Sequence, residues 1–173
     1  QGGVLGGRHI EIVPFDSKGS PQEALLAFKA LVDSRIHFMF QGNGSGIALA
    51  LSAAATRHNT REPGRSVLFL NYAAGDPALT NDRCSFWHFR FDADGEMKLE
   101  ALTTFIAQSS SAQRVYLINP DYSWGQVVSS LSRQMLGRKR PDIRIVGDDL
   151  IPVGKVKDFA PYVAKIRASG ADS

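Results

Sequence analysis

The hydrophobic positions of the chain follow two alternating patterns: short continuous apolar runs, and apolar residues three or four positions apart. The first pattern predicts strands and the second predicts helices. Strands are expected at residues 9–16, 36–40, 66–71, 114–119 and within 143–153. Helices are expected at residues 21–33, from about 45 to 58, after Asp94, at 123–137 and after Asp158.

Several helix ends carry local signals. Ser20 and Glu23 have the spacing of a capping box, and Pro21 occupies the first helical position between them. Glycines at 137 and 170 are expected to end the last two helices. These signals make residues 21–33 the clearest local prediction.

Strand and helix therefore alternate five times along the 173 residues. This alternation predicts an α/β fold with a doubly wound, mostly parallel sheet and helices on both faces. The length suits a single domain. Because the chain opens in QGGVLGG and stops just after a helix, we expect residues 1–173 to be a single ligand-binding lobe truncated at both ends, with the first strand and a second lobe absent.

The stretch IHFMFQGNGSGIALALSAAA, residues 36–55, joins an apolar strand to a helix through a glycine-rich turn. The first N–H groups of a helix lack partners, and the helix dipole makes that end positive. Open α/β sheets bind ligands at this edge. Ser45 can offer a hydroxyl and a helix-start N–H to a carboxylate, a role compatible with its simpler interpretation as a cap of its own helix.

The spacing of the turn disfavours catalysis and nucleotide binding. A dinucleotide fingerprint begun at Gly42 would require glycine where Ile47 stands, and no lysine follows the last glycine as in a Walker loop. A serine-hydrolase elbow centred on Ser45 would require glycine at Asn43 and Ile47. A nucleotide-dependent α/β enzyme is therefore the less favoured alternative, and no catalytic residue is assigned.

Composition excludes little else. Lys and Arg number 20 against 17 Asp and Glu, and the dense basic cluster at 138–140 is interpreted as a solvated loop at a helix end, because a nucleic-acid footprint needs a stripe of charge. Cys84 and His88 are four residues apart, but one such pair is weak support for zinc. We therefore expect no metal and no cofactor. No apolar run reaches the roughly 18 residues of a membrane-spanning helix.

Six segments, taken in order, resemble the amino-terminal lobe of type I periplasmic binding proteins of the branched-chain amino acid (Leu/Ile/Val) ABC-transporter family. They are GGVLGGRHIEIVPFDSKGSPQEAL, FQGNGSG, NYAAGDPALT, CSFWHFRF, NPDYSWG and VGKVKDFAPYVAKIRASGAD. Together they span nearly the whole chain. The resemblance implies a fold of two doubly wound lobes that close on a ligand and perform no chemistry.

The resemblance also implies a ligand site. Its candidate residues are Gly44, Ser45, Tyr72, Ala73, Gly75, Tyr122 and Trp124. The polar head of the ligand would meet Ser45 and the backbone near Gly75, and Trp124 would stack on the ligand or close one side. Amino-acid binders of this family often have threonine where this chain has Gly75, so that glycine, together with Trp124, favours a carboxylate with an aromatic or bulky apolar body.

The function implied by the resemblance is that of a periplasmic or extracellular solute-binding protein of an ABC uptake transporter. Its partners would be a small carboxylate-bearing ligand, either an amino acid or an aromatic carboxylate, and a membrane permease, with no nucleic acid. A ligand-sensing receptor domain of the same fold is an alternative. Any acid that pairs with a ligand ammonium would lie outside this chain.

Overall fold

The computed structural model describes residues 4–109 and 111–173. Its helices are α1 (Pro21–Asp33), α2 (Ser45–Arg61), α3 (Gly95–Ser109), α4 (Ser123–Lys139) and α5 (Ala160–Ser169). Its strands are β1 (Val4–Leu5), β2 (Arg8–His9), β3 (Phe38–Gln41), β4 (Leu68–Asn71), β5 (His88–Arg90), β6 (Arg114–Pro120) and β7 (Arg144–Ile151). The predicted α/β class with parallel strands is confirmed.

The longer strands lie in two parallel sheets. In the first sheet β4 lies between β3 and β5, and in the second β6 pairs with β7. The described strands thus do not form the one sheet that the alternation predicts. Helix α3 packs with the second sheet, because its Ile106 lies against the buried cluster that contains Val115 of β6 and Leu136 of α4.

The first sheet is covered on one face by α1 and α2. Met39 and Phe69 point into this core, where Phe69 is fully buried, whereas Phe38 on the opposite face is 59% exposed. Ala48 and Ala55 of α2 are also fully buried, and their small side chains allow the helix to approach closely. This packing places the beginning of α2 at the carboxyl ends of β3 and β4.

The local predictions have mixed outcomes at the beginning of the chain. Helix α1 has the predicted bounds, but its capping box does not form, because the Ser20 hydroxyl donates to the Gln22 side chain at 2.9 Å. The strand predicted at 9–16 is wrong beyond its first residue. Residues 10–16 are irregular and exposed, and Pro14 lacks the N–H that a ladder requires. Part of the QGGVLGG opening, residues 1–3, lies outside the described residues.

The later helix ends are clearer. Asp94 accepts a hydrogen bond from the N–H of residue 97 at 2.9 Å, so the predicted cap of α3 is confirmed. The cap predicted at Asp158 is wrong by one residue: Phe159 occupies the capping position of α5, and Asp158 before it accepts a hydrogen bond from the N–H of residue 160 at 2.8 Å. Gly170 ends α5 with a φ of 67°, as predicted. Helix α4 continues past Gly137 to Lys139, so the predicted end at that glycine is wrong.

The basic cluster at 138–140 is less solvated than predicted. The side chain of Lys139 is 15% exposed, and its Nζ lies 2.7 Å from a carboxylate oxygen of Glu100 and 2.7 Å from the Thr104 hydroxyl. This ammonium, with Arg138, holds the pKa of the Glu100 carboxyl below its usual value. The cluster therefore fastens α4 to α3. None of the helices in the described ranges has the length and apolar character needed to cross a membrane.

Candidate functional site

The glycine-rich turn ends at the beginning of α2. Gly44 precedes the helix with a φ of 85°, in the left-handed region that favours glycine. Ser45 follows as the first helical residue and is 2% exposed, and no described residue forms a hydrogen bond with its hydroxyl. The first turn of α2 holds no acidic residue. Among the described residues, the helix therefore begins with N–H groups that have no partner, with the uncompensated positive end of its dipole, and with one buried hydroxyl that has no protein partner.

The loop after β4 lies beside this turn, and the side chain of Asn71 forms hydrogen bonds with its backbone. This side chain is fully buried. Its Oδ1 accepts hydrogen bonds from the N–H groups of Ala73, at 3.1 Å, and Ala74, at 2.8 Å, and its Nδ2 donates to the Ala74 carbonyl at 2.8 Å. The backbone N–H of Ala73 is thus directed at Asn71 in this structure.

Tyr72 packs over the glycine-rich turn. A Cβ on Gly42 would lie 2.6 Å from the Ala73 nitrogen and 2.8 Å from a ring carbon of Tyr72, so only glycine allows this crossing. The ring is otherwise open to solvent, because Tyr72 is 58% exposed. Tyr72 therefore packs the loop after β4 against the glycine-rich turn, at the solvent-exposed rim of the site.

Trp124 lies against the loop after β4 at Gly75. A Cβ on Gly75 would lie 2.8 Å from Cζ3 of the indole, and one on Gly95 would lie 2.7 Å from the same atom. Gly95 also donates its N–H to the Gly75 carbonyl at 2.8 Å. The six-membered ring of Trp124 is therefore seated on two glycines, one from the first sheet's loop and one from the beginning of α3.

The beginnings of α2 and α4 also meet. A Cβ on Gly46 would lie 3.8 Å from the Ser123 hydroxyl, in ordinary van der Waals contact. Tyr122 precedes α4 in an extended conformation and is 38% exposed, and the first turn of α4 holds no acidic residue. Two positive helix ends, two serine hydroxyls and an indole therefore surround one region. Such a surface suits a carboxylate that carries an apolar body.

A buried ion pair fixes the surroundings. Arg90, whose side chain is 5% exposed, lies 2.8 Å from the Asp94 carboxylate. Arg90 also donates to the Asp76 carbonyl at 3.1 Å and to the Thr80 hydroxyl at 2.7 Å. The guanidinium therefore ties the end of the loop after β4 to the beginning of α3. Because Arg90 and Asp94 neutralise each other, the Asp94 carboxylate does not compensate the positive ends of α2 and α4.

The pKa of His88, on β5 beside Asn71, is lowered from its ordinary value of 6.5, first by burial and then by the charge of Arg90, with the Leu79 carbonyl opposing in part. Within residues 4–109 and 111–173 no cluster of three or more His, Cys, Asp or Glu side chains could hold a metal ion.

The structure thus brings three predicted parts of the site together. They are the beginning of α2, with Gly44 and Ser45, the loop after β4, with Gly75, and the indole of Trp124. Sequence reasoning overlooked Asn71, Gly95 and Ser123. The asparagine that ends an apolar strand and the glycine directly after the Asp94 cap are local signals that point to two of them.

Comparison with known proteins gives a family. Residues 1–173 match the sequence profile of the family described as periplasmic binding protein. The Leu/Ile/Val-binding protein homolog 4 of Brucella abortus (strain 2308) is 31% identical over an alignment of 174 positions that covers 100% of this chain and 41% of that protein. The chain thus spans 41% of the length of this relative.

Solved structures give the same likeness. A leucine-, isoleucine-, valine-, threonine- and alanine-binding protein from Brucella ovis, in a closed conformation, is 31% identical with a TM-score of 0.80, over 96% of this chain and 42% of that one. A solute-binding protein of an ABC transporter from R. palustris, in complex with benzoate, is 20% identical with a TM-score of 0.84, over 98% of this chain and 44% of that one. The second likeness concerns the fold alone.

Proposed function

The chain belongs to the periplasmic binding protein family, and from this premise we propose that it is part of a solute-binding protein of an ABC uptake transporter. The protein would bind a small carboxylate-bearing solute in the periplasm or outside the cell, deliver it to a membrane permease and perform no chemistry. Two Brucella relatives support this assignment: one is called a Leu/Ile/Val-binding protein homolog, and the other a leucine-, isoleucine-, valine-, threonine- and alanine-binding protein.

One observation carries the proposal: the first turns of α2 and α4 lie close together, and neither contains an acidic residue. The N–H groups at the start of α2 and the hydroxyl of Ser45 would receive the carboxylate, and Ser123 at the start of α4 faces the same region. Gly44 shapes the turn that precedes these groups. A charge-assisted hydrogen bond to each carboxylate oxygen would fix the head of the solute.

Trp124 and Gly75 would define the space for the body of the solute. The indole lies on Gly75, where a side chain would strike it, so the wall beside the carboxylate is flat and apolar. We therefore favour an aromatic or bulky apolar carboxylate over a small amino acid. Ala73, Tyr72 and Tyr122 would contribute at the rim, Ala73 mainly by its position, since its N–H is directed at Asn71.

The two sheets suggest how the solute would be enclosed. The first sheet and the second have separate buried cores, and α2 belongs to the first whereas α4 belongs to the second. In place of the single lobe that the sequence predicts, we propose that the sheets are parts of two lobes, and that hinge closure brings α2 and α4 onto the solute.

A thermal-shift screen of the full-length protein tests this function. Millimolar benzoate and L-leucine represent the two carboxylate classes, and NAD and ATP represent the enzyme alternative. A ligand that binds the folded state raises the melting temperature by mass action. We expect stabilisation by a carboxylate that Ser45→Ala diminishes and that Ser130→Ala, an exposed serine of α4, leaves intact. Stabilisation by a nucleotide, or by neither carboxylate, would contradict the proposal.

A further inference from the structure

We propose that Asn71, whose amide is oriented by His88, is the positioning residue of the ligand site. Its hydrogen bonds fix the backbone of the loop at residues 72–75, and its side chain does not touch the solute. This inference rests on the proposed function for its effect on binding. Its effect on the loop itself is a separate claim, which can be measured without any ligand.

Every hydrogen-bonding position of the Asn71 amide is used. The oxygen accepts from the N–H groups of Ala73 and Ala74, and the nitrogen donates to the Ala74 carbonyl and contacts His88 Nε2 at 3.2 Å. An amide has two acceptor and two donor positions. Because backbone N–H groups face one end, the amide oxygen must lie there, and its NH₂ group must face His88.

This orientation fixes the state of His88. Its Nε2 can accept the hydrogen bond from Asn71 only in the neutral imidazole. The ring is buried, and it packs edge-on against Phe69 with centroids 4.9 Å apart. Protonation at Nε2 would place an N–H against the N–H groups of the amide, and one of the two side chains would have to move.

The charges around the imidazole favour the neutral form. The positive charge that acts on it is Arg90 on the same strand, which is itself paired with Asp94 at the start of α3, while the Leu79 carbonyl acts in the opposite sense. Burial is the larger cause of the lowered pKa. At neutral pH, His88 is therefore neutral and accepts a hydrogen bond from the Asn71 NH₂ group, which keeps the amide oxygen of Asn71 directed at the loop.

The loop in question carries the site. At one end Tyr72 lies across Gly42, and at the other Gly75 lies under the indole of Trp124. A shift of this loop would move the indole and thereby change the wall against which the body of the solute would lie. Loss of the Asn71 bonds should consequently weaken binding as well as stability.

The chain offers a matched control in Asn59. This asparagine is 2% exposed, its Nδ2 donates to the Val67 carbonyl at 2.9 Å, and its Oδ1 accepts from the Val67 N–H at 2.8 Å. It thus makes the same kind of bonds just before β4, whereas Asn71 makes them just after it. Truncating Asn59 should cost stability without moving the loop at 72–75.

The test compares Asn71→Ala with Asn59→Ala in the full-length protein. Calorimetric titration uses benzoate or L-leucine, whichever stabilises the wild type. We expect both variants to lower the melting temperature, Asn71→Ala to weaken binding at least tenfold and Asn59→Ala less than twofold. Equal effects of the two variants on affinity would overturn the inference.

Amide hydrogen exchange at Ala73 and Ala74, without ligand, decides the matter even if neither probe binds and the proposed function fails. Exchange corrected for its intrinsic rate should be at least tenfold faster in Asn71→Ala and unchanged in Asn59→Ala. In the wild type it should also accelerate as the pH is lowered below 6.5. His88→Gln, whose amide oxygen can replace the acceptor, should remove that pH dependence. Unaltered protection in Asn71→Ala would refute the positioning role.

Discussion

Replacing Gly75 by alanine tests the contact between the loop after β4 and the indole of Trp124. The new Cβ would lie 2.8 Å from Cζ3 and 3.0 Å from Cη2, whereas ordinary van der Waals contact begins near 3.4 Å. The indole would have to retreat by about half an ångström, but Gly95 lies just as close to it and limits the movement. Overpacking of this kind costs about 1–3 kcal/mol.

Urea denaturation of the full-length protein measures the cost as a fall in the free energy of unfolding. Gly64→Ala is the matched control, since a Cβ there would meet nothing within 4 Å. Trp124→Leu removes the ring atoms that the new methyl group strikes, so in that background Gly75→Ala should cost less than about 0.5 kcal/mol, as an independent surface change does. A cost that persists without the indole, or that equals the cost of Gly64→Ala, would refute the steric reasoning.

Three further predictions concern stability. Gly137→Ala should raise the free energy of unfolding by about 1 kcal/mol, because the residue lies inside α4 with open space around it; a loss would contradict the helix bounds. Asp94→Ala should cost about 3–5 kcal/mol in urea denaturation, since it leaves the buried Arg90 without its carboxylate; a cost under about 1 kcal/mol is what surface pairs show and would contradict burial of the pair. Stability should also fall as the pH drops below about 6.5, because His88 has a lowered pKa and stays neutral in the folded protein while the unfolded chain takes up a proton, until the folded pKa is passed; an equally steep fall in His88→Gln would exclude this histidine as the cause.

The elements that could be predicted are those whose signals are local. Helix α1 has its predicted bounds because proline at the first position and apolar residues on one face act within a few turns. The cap by Asp94 is confirmed for the same reason. The turn before Ser45 was also readable, since its glycines, an apolar strand and a small-residue helix are adjacent in sequence.

The features that escaped prediction depend on distant partners. Alternation of strand and helix does not determine which strands pair, so it cannot predict the division into two parallel sheets. The bond between Asn71 and His88 joins residues 17 positions apart, and the seat of Trp124 on Gly95 joins two separate helices. The strand predicted at 9–16 failed because alternating apolar residues form a ladder only where a neighbouring strand is available.

We expect a carboxylate to bind where α2 and α4 begin. A crystal structure of the full-length protein with the carboxylate found by the thermal-shift screen tests it most directly. We expect a carboxylate oxygen within about 3 Å of the Ser45 hydroxyl and of an N–H in the first turn of α2, with the body of the solute against Trp124. A carboxylate bound in the protein without contact to Ser45 or to the beginning of α2 would contradict the account.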